Sequence, residues 1–289
     1  MQDSPETPSE ETPPESAEKK LEPPVAAPAN KFADLWLRIA SALVLGAIAG
    51  LSFWNGGLFV VALLVVAGGL MAWEFRRLIL PDASNKDTGL WVMVAGIVGA
   101  VISANLFGFY PALLPVVLAA VILWQIKHKR PAWIAFGMLY LAVPLAGLMV
   151  LRQDQGLGPV LWLIGVVVAS DIGGYFAGRF FGGPKLWPAI SPKKTWSGTL
   201  GGWVLALLVG LVYWAFAGSD IGFFDALLFS VLLAMAAQGG DLFESWLKRK
   251  AGIKDSSNLI PGHGGLLDRF DGLLAATSLY TALSLTGML

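Results

Sequence analysis

Nine apolar runs, each close to the length that crosses a lipid bilayer, leave this chain few ways to fold. They occupy 36–53, 56–74, 89–107, 110–126, 132–150, 158–178, 199–217, 222–246 and 272–288. A helix spanning the hydrocarbon layer needs about 20 apolar residues. Charged residues make up only 14% of the chain, where soluble domains carry about 25%. The expected fold class is therefore all-α: a polytopic integral membrane protein of about nine transmembrane helices. Gly and Pro inside the runs (Gly68-Gly69, Pro115, Pro144) fit that class, because membrane helices tolerate both. Small residues at Ala95-Gly96 and Gly99-Ala100 allow helices to approach closely. No internal repeat suggests a transporter built from duplicated halves.

The cations set the orientation. Of the 20 Lys and Arg residues, all but Arg152 fall in the N-terminal part up to Arg38, at the very start of the first run, or in the segments after the second, fourth, sixth and eighth. Cationic loops stay in the cytoplasm, so the N-terminus is expected inside and the end of the ninth run outside. An odd miscount of spans would have scrambled this alternation. Trp36, Trp54, Trp73, Trp91, Trp124, Trp133 and Trp214 sit near run ends, where an amphipathic indole favours the membrane interface. His128, in the basic stretch KHKR, reads as part of a cytoplasmic, lipid-facing turn.

Residues 1–30 form a separate region. They hold seven prolines and seven acidic residues with almost nothing to bury, so a disordered acidic tail is expected, followed by one membrane-embedded domain over 31–289. No basic start precedes a short apolar run, so a cleavable signal peptide is not expected. The absence of cysteine excludes disulfides, thiolate metal sites and a cysteine nucleophile. With only His128 and His263 present, a His-rich metal cage is excluded too.

Three polar segments share the cytoplasmic side. The first, SDIGGYFAGRFFGG (170–183), carries Asp171 inside an apolar run, and an intramembrane carboxylate is costly enough to mark a functional site or a paired structural group, with Arg179 the nearby partner. The second, ISPKKTWSG (190–198), offers Lys193 and Lys194 as point charges and Ser191 and Thr195 as hydroxyl donors suited to phosphate oxygens. Pro192 is expected to make a turn there. The third, residues 241–271, packs Asp241, Glu244, Asp255, Asp268 and Asp271 among Lys248, Arg249, Lys250, Lys254 and Arg269. Spacings of three and four put Asp241, Glu244, Ser245 and Lys248 on one helix face. Asp268 and Asp271 share a face at the start of the ninth helix. PGHGG (261–265) is a turn-forming segment that exposes backbone. Its His263 is open to two roles, general base or hydrogen-bonding strut. Hard oxygen ligands of this kind suit Mg2+, which binds through one or two carboxylates, waters and substrate phosphates. The residues thus point to an intramembrane enzyme or carrier that handles a phosphorylated ligand with a divalent metal, and they do not name the ligand.

The run Ser245-Trp-Leu-Lys248-Arg249, then Lys254-Asp255, then Pro261-Gly-His263-Gly264-Gly265-Leu-Leu-Asp268-Arg269-Phe-Asp271 resembles the signature of phosphatidate cytidylyltransferases (CDP-diacylglycerol synthases). SDIGGYFAGRFFG and SPKKTWSG resemble that family's two other recurring segments, and the similarity runs from about residue 33 to the end. Two departures stand out. Ile172 and Gly174 replace a small polar residue and Ala, and Ser197 stands where the family often has an acid, so no catalytic carboxylate is assigned there. The resemblance implies that CTP and phosphatidate give CDP-diacylglycerol and diphosphate. It implies Mg2+, with room for a second cation such as K+, and a homodimer in the inner membrane with its active site facing the cytoplasm and no nucleic-acid partner. By similarity Asp241 and Asp268 would be the metal carboxylates, with Ser245 close by and Asp271 a further candidate. Lys193, Lys194, Lys248 and Arg249 would bind the triphosphate and the lipid phosphate, and Lys254 would add a phosphate contact. Two alternatives remain. A CTP-dependent polyprenol or dolichol kinase would release CDP. A transporter of a phosphorylated solute would place charges near mid-membrane rather than at one face.

Overall fold

A computed structural model describes residues 31–81, 87–217, 221–260 and 262–289. The expected acidic tail, Lys86 and Pro261 lie outside them. Among the described residues there are nine helices: α1 (Lys31–Asn55), α2 (Gly57–Ile79), α3 (Thr88–Phe107), α4 (Phe109–Gln125), α5 (Pro131–Asp154), α6 (Leu157–Phe181), α7 (Trp196–Ala217), α8 (Phe223–Lys250) and α9 (Leu267–Leu285). Each covers one of the nine apolar runs. Six of them, α2, α3, α5, α6, α7 and α8, are long and apolar enough to cross a membrane. α4 and the apolar part of α1 are shorter, and α9 opens on Asp268, Arg269 and Asp271, which dilute its hydropathy.

The turns at the two ends of the bundle differ in a way that follows from composition. Gly56, Gly108 and Gly156 close the tight α1–α2, α3–α4 and α5–α6 turns with φ of 70°, 85° and 85°, a left-handed conformation that costs glycine no Cβ clash. The longer, cationic connections lie at the other end. Arg152, the one cation on the tight-turn side, donates from Nε to Phe53 O at 2.6 Å, so its charge completes the C-terminus of α1.

α5 runs through the core. Ile134, Met138, Leu141 and Met149 are fully buried, facing Phe75 and Met71 of α2 and Met93 and Ile97 of α3. α6 and α7 pack backbone to backbone. A Cβ on Gly201 would lie 2.2 Å from the Ala177 Cβ, and one on Gly173 would lie 2.6 Å from Gly201 O. Gln238 of α8 ties that pair to the rest, donating to Ser170 Oγ (3.2 Å) and Thr199 O (3.3 Å) and accepting from Trp203 Nε1 (3.0 Å).

The fold is helical as expected, with one small addition, an antiparallel hairpin of β1 (Lys185–Trp187) and β2 (Ser191–Thr195), in which Lys185 faces Thr195 and Trp187 faces Ser191. Two local expectations are corrected. Pro192 lies within β2 rather than at a turn; the turn is closed by Ile190 N donating to Trp187 O at 3.2 Å. A two-stranded ribbon is all edge, which is where a strand tolerates proline. His128 does not face lipid. Its Nε2 meets Asp87 Oδ1 at 2.9 Å, and only 9% of its side chain is exposed.

Asp87 also approaches Arg76 Nε at 3.5 Å, so the α2–α3 and α4–α5 connections are clasped together. Burial raises the Asp87 carboxyl, but the His128 hydrogen bond and the charges of His128 and Arg76 outweigh it and hold the group below the usual carboxylate range. A depressed folded pKa contributes stability that is complete above the unfolded value and lost as pH falls through the folded one. Asp87→Asn should therefore lower the melting temperature near neutral pH. The gap from wild type should close as the pH falls below the ordinary carboxylate range and through the depressed folded value, as read by thermal unfolding in detergent across a pH series.

Candidate active site

The three polar segments converge at the cation-rich end of α8. Gly240 makes this possible: a Cβ there would lie 2.4 Å from Asp271 O, so its absence lets the first turn of α9 cross directly over α8. The next turns of α8 then carry two ion-pair systems on one side of the helix. Lys194 of β2 reaches Asp241 Oδ2 at 2.5 Å, and Ser245 Oγ donates to Asp241 Oδ1 at 3.3 Å. One turn on, Lys248 Nζ lies between two carboxylates, 2.7 Å from Glu244 Oε2 and 2.8 Å from Asp268 Oδ1. The contacts at i,i+4 bear out the single face expected for Asp241, Glu244, Ser245 and Lys248. Glu244 is fully buried and its second oxygen, Oε1, has no hydrogen-bond partner among the described residues.

Asp268 is the most heavily engaged carboxylate. Besides Lys248 it accepts Ser256 N (3.1 and 3.0 Å to its two oxygens) and Gly265 N (2.8 Å). Its side chain therefore holds both ends of the 256–265 loop. Within that loop Ile260 N donates to Gly264 O at 2.8 Å, and Gly262 and Gly264 are left-handed at φ 75° and 84°. The His263 ring bonds Ser41 Oγ of α1 through Nδ1 at 2.8 Å. Its carbonyl accepts Arg269 Nε and Nη2 at 2.9 and 2.6 Å. Asp271 accepts its neighbour's Gly272 N at 2.7 Å.

Asp171 does not pair with Arg179, which donates instead to Tyr175 OH at 2.9 Å. Its carboxylate is exposed and feels the charges of Asp241, Lys194 and Arg269, so it belongs to the same cluster. Lys193, Arg249 and Lys254 are exposed and make no ion pair among the described residues. Ser191 is half-buried on β2. Thr195 is turned another way: it is buried, and its Oγ1 accepts Gly198 N at 3.2 Å, which caps the start of α7. Of the segment's remaining side-chain donors, Lys194 is held by Asp241, and Ser191 and Lys193 make no side-chain hydrogen bond or ion pair among the described residues.

Among the described residues, no group of three or more Asp, Glu or His side chains is placed to hold a metal alone. Asp241 and Asp268 each already hold a cationic ammonium at 2.5–2.8 Å, so the donor set fits a cation at both positions. A separate cavity of about 1020 Å³ lies at the other end of the bundle, lined by Gln155, Trp162, Tyr213, Asp225 and Tyr280 with no Lys or Arg. Lacking any phosphate-binding cation, it does not compete with the charged cluster as a phosphate site.

With this arrangement on view, the family is decided by sequence comparison. A model of the Cytidylyltransferase family matches residues 36–286. The chain belongs to that family. It is similar to the phosphatidate cytidylyltransferase of Brucella suis, 37% identical over 262 residues that span 86% of this chain and 92% of the relative. It is also similar to the phosphatidate cytidylyltransferases of Helicobacter pylori 26695 (46% over 161 residues, 55% and 58% of the two chains) and Staphylococcus saprophyticus (42% over 142 residues, 48% and 55%). The departures from the usual cytidylyltransferase pattern are locally intelligible. A Cβ at Gly174 would lie 3.5 Å from Gly198 O, ordinary contact that an Ala would satisfy. Ser197 bonds Gly182 O and the Thr195 hydroxyl, so it serves the α6–α7 junction.

One member of this cluster escaped the sequence reading. Glu74 of α2 is fully buried and accepts Ser257 Oγ (2.5 Å), Leu266 N (2.9 Å) and Leu267 N (2.6 Å). The signal that singled out Asp171, a carboxylate within an apolar run, was present in Met71-Ala-Trp-Glu74-Phe75. Ending the second run at 74 hid it, because α2 continues to Ile79.

Proposed function

We propose that this protein transfers the cytidylyl group of CTP to phosphatidate, giving CDP-diacylglycerol and diphosphate. The observation that carries the reading is the pair of lysine–carboxylate clamps, Lys194–Asp241 and Lys248–Asp268, built from the segments that carry the family signature. A phosphatidate oxygen attacks the α-phosphorus of CTP, a new P–O bond forms, and the bond to the β-phosphate breaks. The nucleophile belongs to the lipid, so the protein need only position the reactants and stabilise charge. Lys194 and Lys248 pass from carboxylate to phosphate as the nucleotide enters, and exposed Lys193, Arg249 and Lys254 add charge at the rim. That exchange uncovers oxygens on Asp241 and Asp268, which would hold Mg2+ with Ser245 and Asp271 nearby. When bound, Mg2+ neutralises phosphate charge and stabilises the leaving diphosphate. Ser191 donates to a phosphate oxygen, and His263 braces the loop through Ser41.

The same reading takes all nine helices as membrane spans of an inner-membrane protein, with the N-terminus and the site on the cytoplasmic side, as the cation distribution favours. From the family resemblance it adds a homodimer and a possible second site for K+. The acyl chains stay in the bilayer while the headgroup reaches the charged end of α8. The test is purified protein with CTP and phosphatidate, with and without Mg2+. CDP-diacylglycerol and diphosphate should appear in equal amounts only with the metal, and an absence of metal-dependent turnover would sink the reading.

A further inference from the structure

Two carboxylates grip the 256–267 segment from opposite sides, and their donors alternate along the chain. Ser256 N and Gly265 N go to Asp268. The immediately adjacent Ser257 hydroxyl, Leu266 N and Leu267 N go to Glu74. Gly265 sits in the pinch between them: a Cβ there would fall 1.9 Å from Ser256 Oγ and 2.6 Å from Glu74 Oε1. Three donors and no acceptor meet Glu74, and the residue is 0% exposed. Its bonds to Leu266 and Leu267 also fix the first turn of α9, from which Asp268 projects. A buried carboxylate in an apolar helix costs several times an ordinary polar group unless fully satisfied, and here every hydrogen bond it makes among the described residues is to this one segment.

We propose that Glu74 is a positioning residue for the metal-binding carboxylate: from α2 it pre-sets the 256–267 segment so that Asp268 presents its oxygens correctly. The inference rests on the proposed function for the identity of the metal, but not for the geometry. Groups that orient a metal's ligands typically matter 10–100-fold in metal affinity or activity. With Glu74→Gln, one oxygen still accepts, while the amide NH2 is driven against Leu266 N–H or Leu267 N–H, both donors.

The test uses the full chain in detergent. Mn2+ supplied with CTP in the absence of phosphatidate, followed by its EPR signal, should bind wild type about 10–100 times more tightly than Glu74→Gln, and the variant's Mg2+ requirement for turnover should rise by the same factor. Without metal or substrate, trypsin should cut after Lys254 faster in the variant, because the segment has lost its α2 anchor. Unchanged Mn2+ affinity together with an unchanged cleavage rate would overturn the proposal. Should Glu74→Gln fail to fold, Ser257→Ala removes one contact and keeps the carboxylate. It should shift both readouts in the same direction by less, and wild-type behaviour of folded Ser257→Ala in both would overturn the proposal as well. A wild-type protein inactive on CTP and phosphatidate would count against the proposed reaction alone, since the cleavage rate needs neither.

Discussion

Asp268→Asn should lower turnover by about 10²–10³-fold, the usual loss when one preorganised electrostatic group is removed from a reacting centre, while the protein stays folded. The substitution keeps the size of the side chain and one accepting oxygen. It removes the negative charge that pairs with Lys248 and turns an NH2 toward Ser256 N–H or Gly265 N–H, both donors. The helix crossing survives, because it depends on Gly240 against the Asp271 backbone, which the change does not touch. Size-exclusion chromatography in detergent should give the wild-type profile beside an inactive enzyme. Near-normal turnover would remove Asp268 from the metal role.

Lys248→Met should damage both folding and activity. Among the described residues, Lys248 is the only ammonium within hydrogen-bonding distance of Glu244 and Asp268, whose side chains are 0% and 5% exposed. Losing one partner of a buried ion pair costs about 3–5 kcal/mol, chiefly because the charge left behind has no compensation. The melting temperature should therefore drop well below wild type, and turnover should fall at least as far as in Asp268→Asn. Adding Glu244→Gln neutralises one orphaned carboxylate. The double variant should recover much of the thermal stability and none of the turnover, since the phosphate-binding ammonium is still missing. Recovery of both would assign Lys248 to structure alone.

How much of this was legible beforehand depends on the kind of order involved. Helices written as apolar runs were readable: the eighth run, 222–246, became α8 at Phe223–Lys250, extended by the polar turn that carries Lys248. The grouping of Asp241, Ser245, Glu244 and Lys248 followed from helical spacing and reappears in the contacts at 2.7 and 3.3 Å. The hairpin was not readable, because strands of three and five residues, one containing Pro192, leave no periodicity to detect. Nor was the division of labour within the polar segments. Only the three-dimensional arrangement shows that Thr195 caps α7, that Lys194 chooses Asp241, or that Lys248 lies between two acids. The Lys194–Asp241 and Lys248–Asp268 pairings join different elements of the fold, which helical spacing does not encode. Glu74 falls between these cases, since its type was visible but its partners, 183 to 193 residues away, were not.

The central claim is that the α-phosphate, with its cytidine, is what moves. The most direct test incubates the purified protein, phosphatidate and Mg2+ with CTP carrying a radiolabel on either the α- or the γ-phosphate, followed by extraction of the lipid. Label from the α position in the lipid fraction, with γ-label released as water-soluble diphosphate, is the predicted result. Label from the γ position entering the lipid would contradict it and make the protein a CTP-dependent lipid kinase.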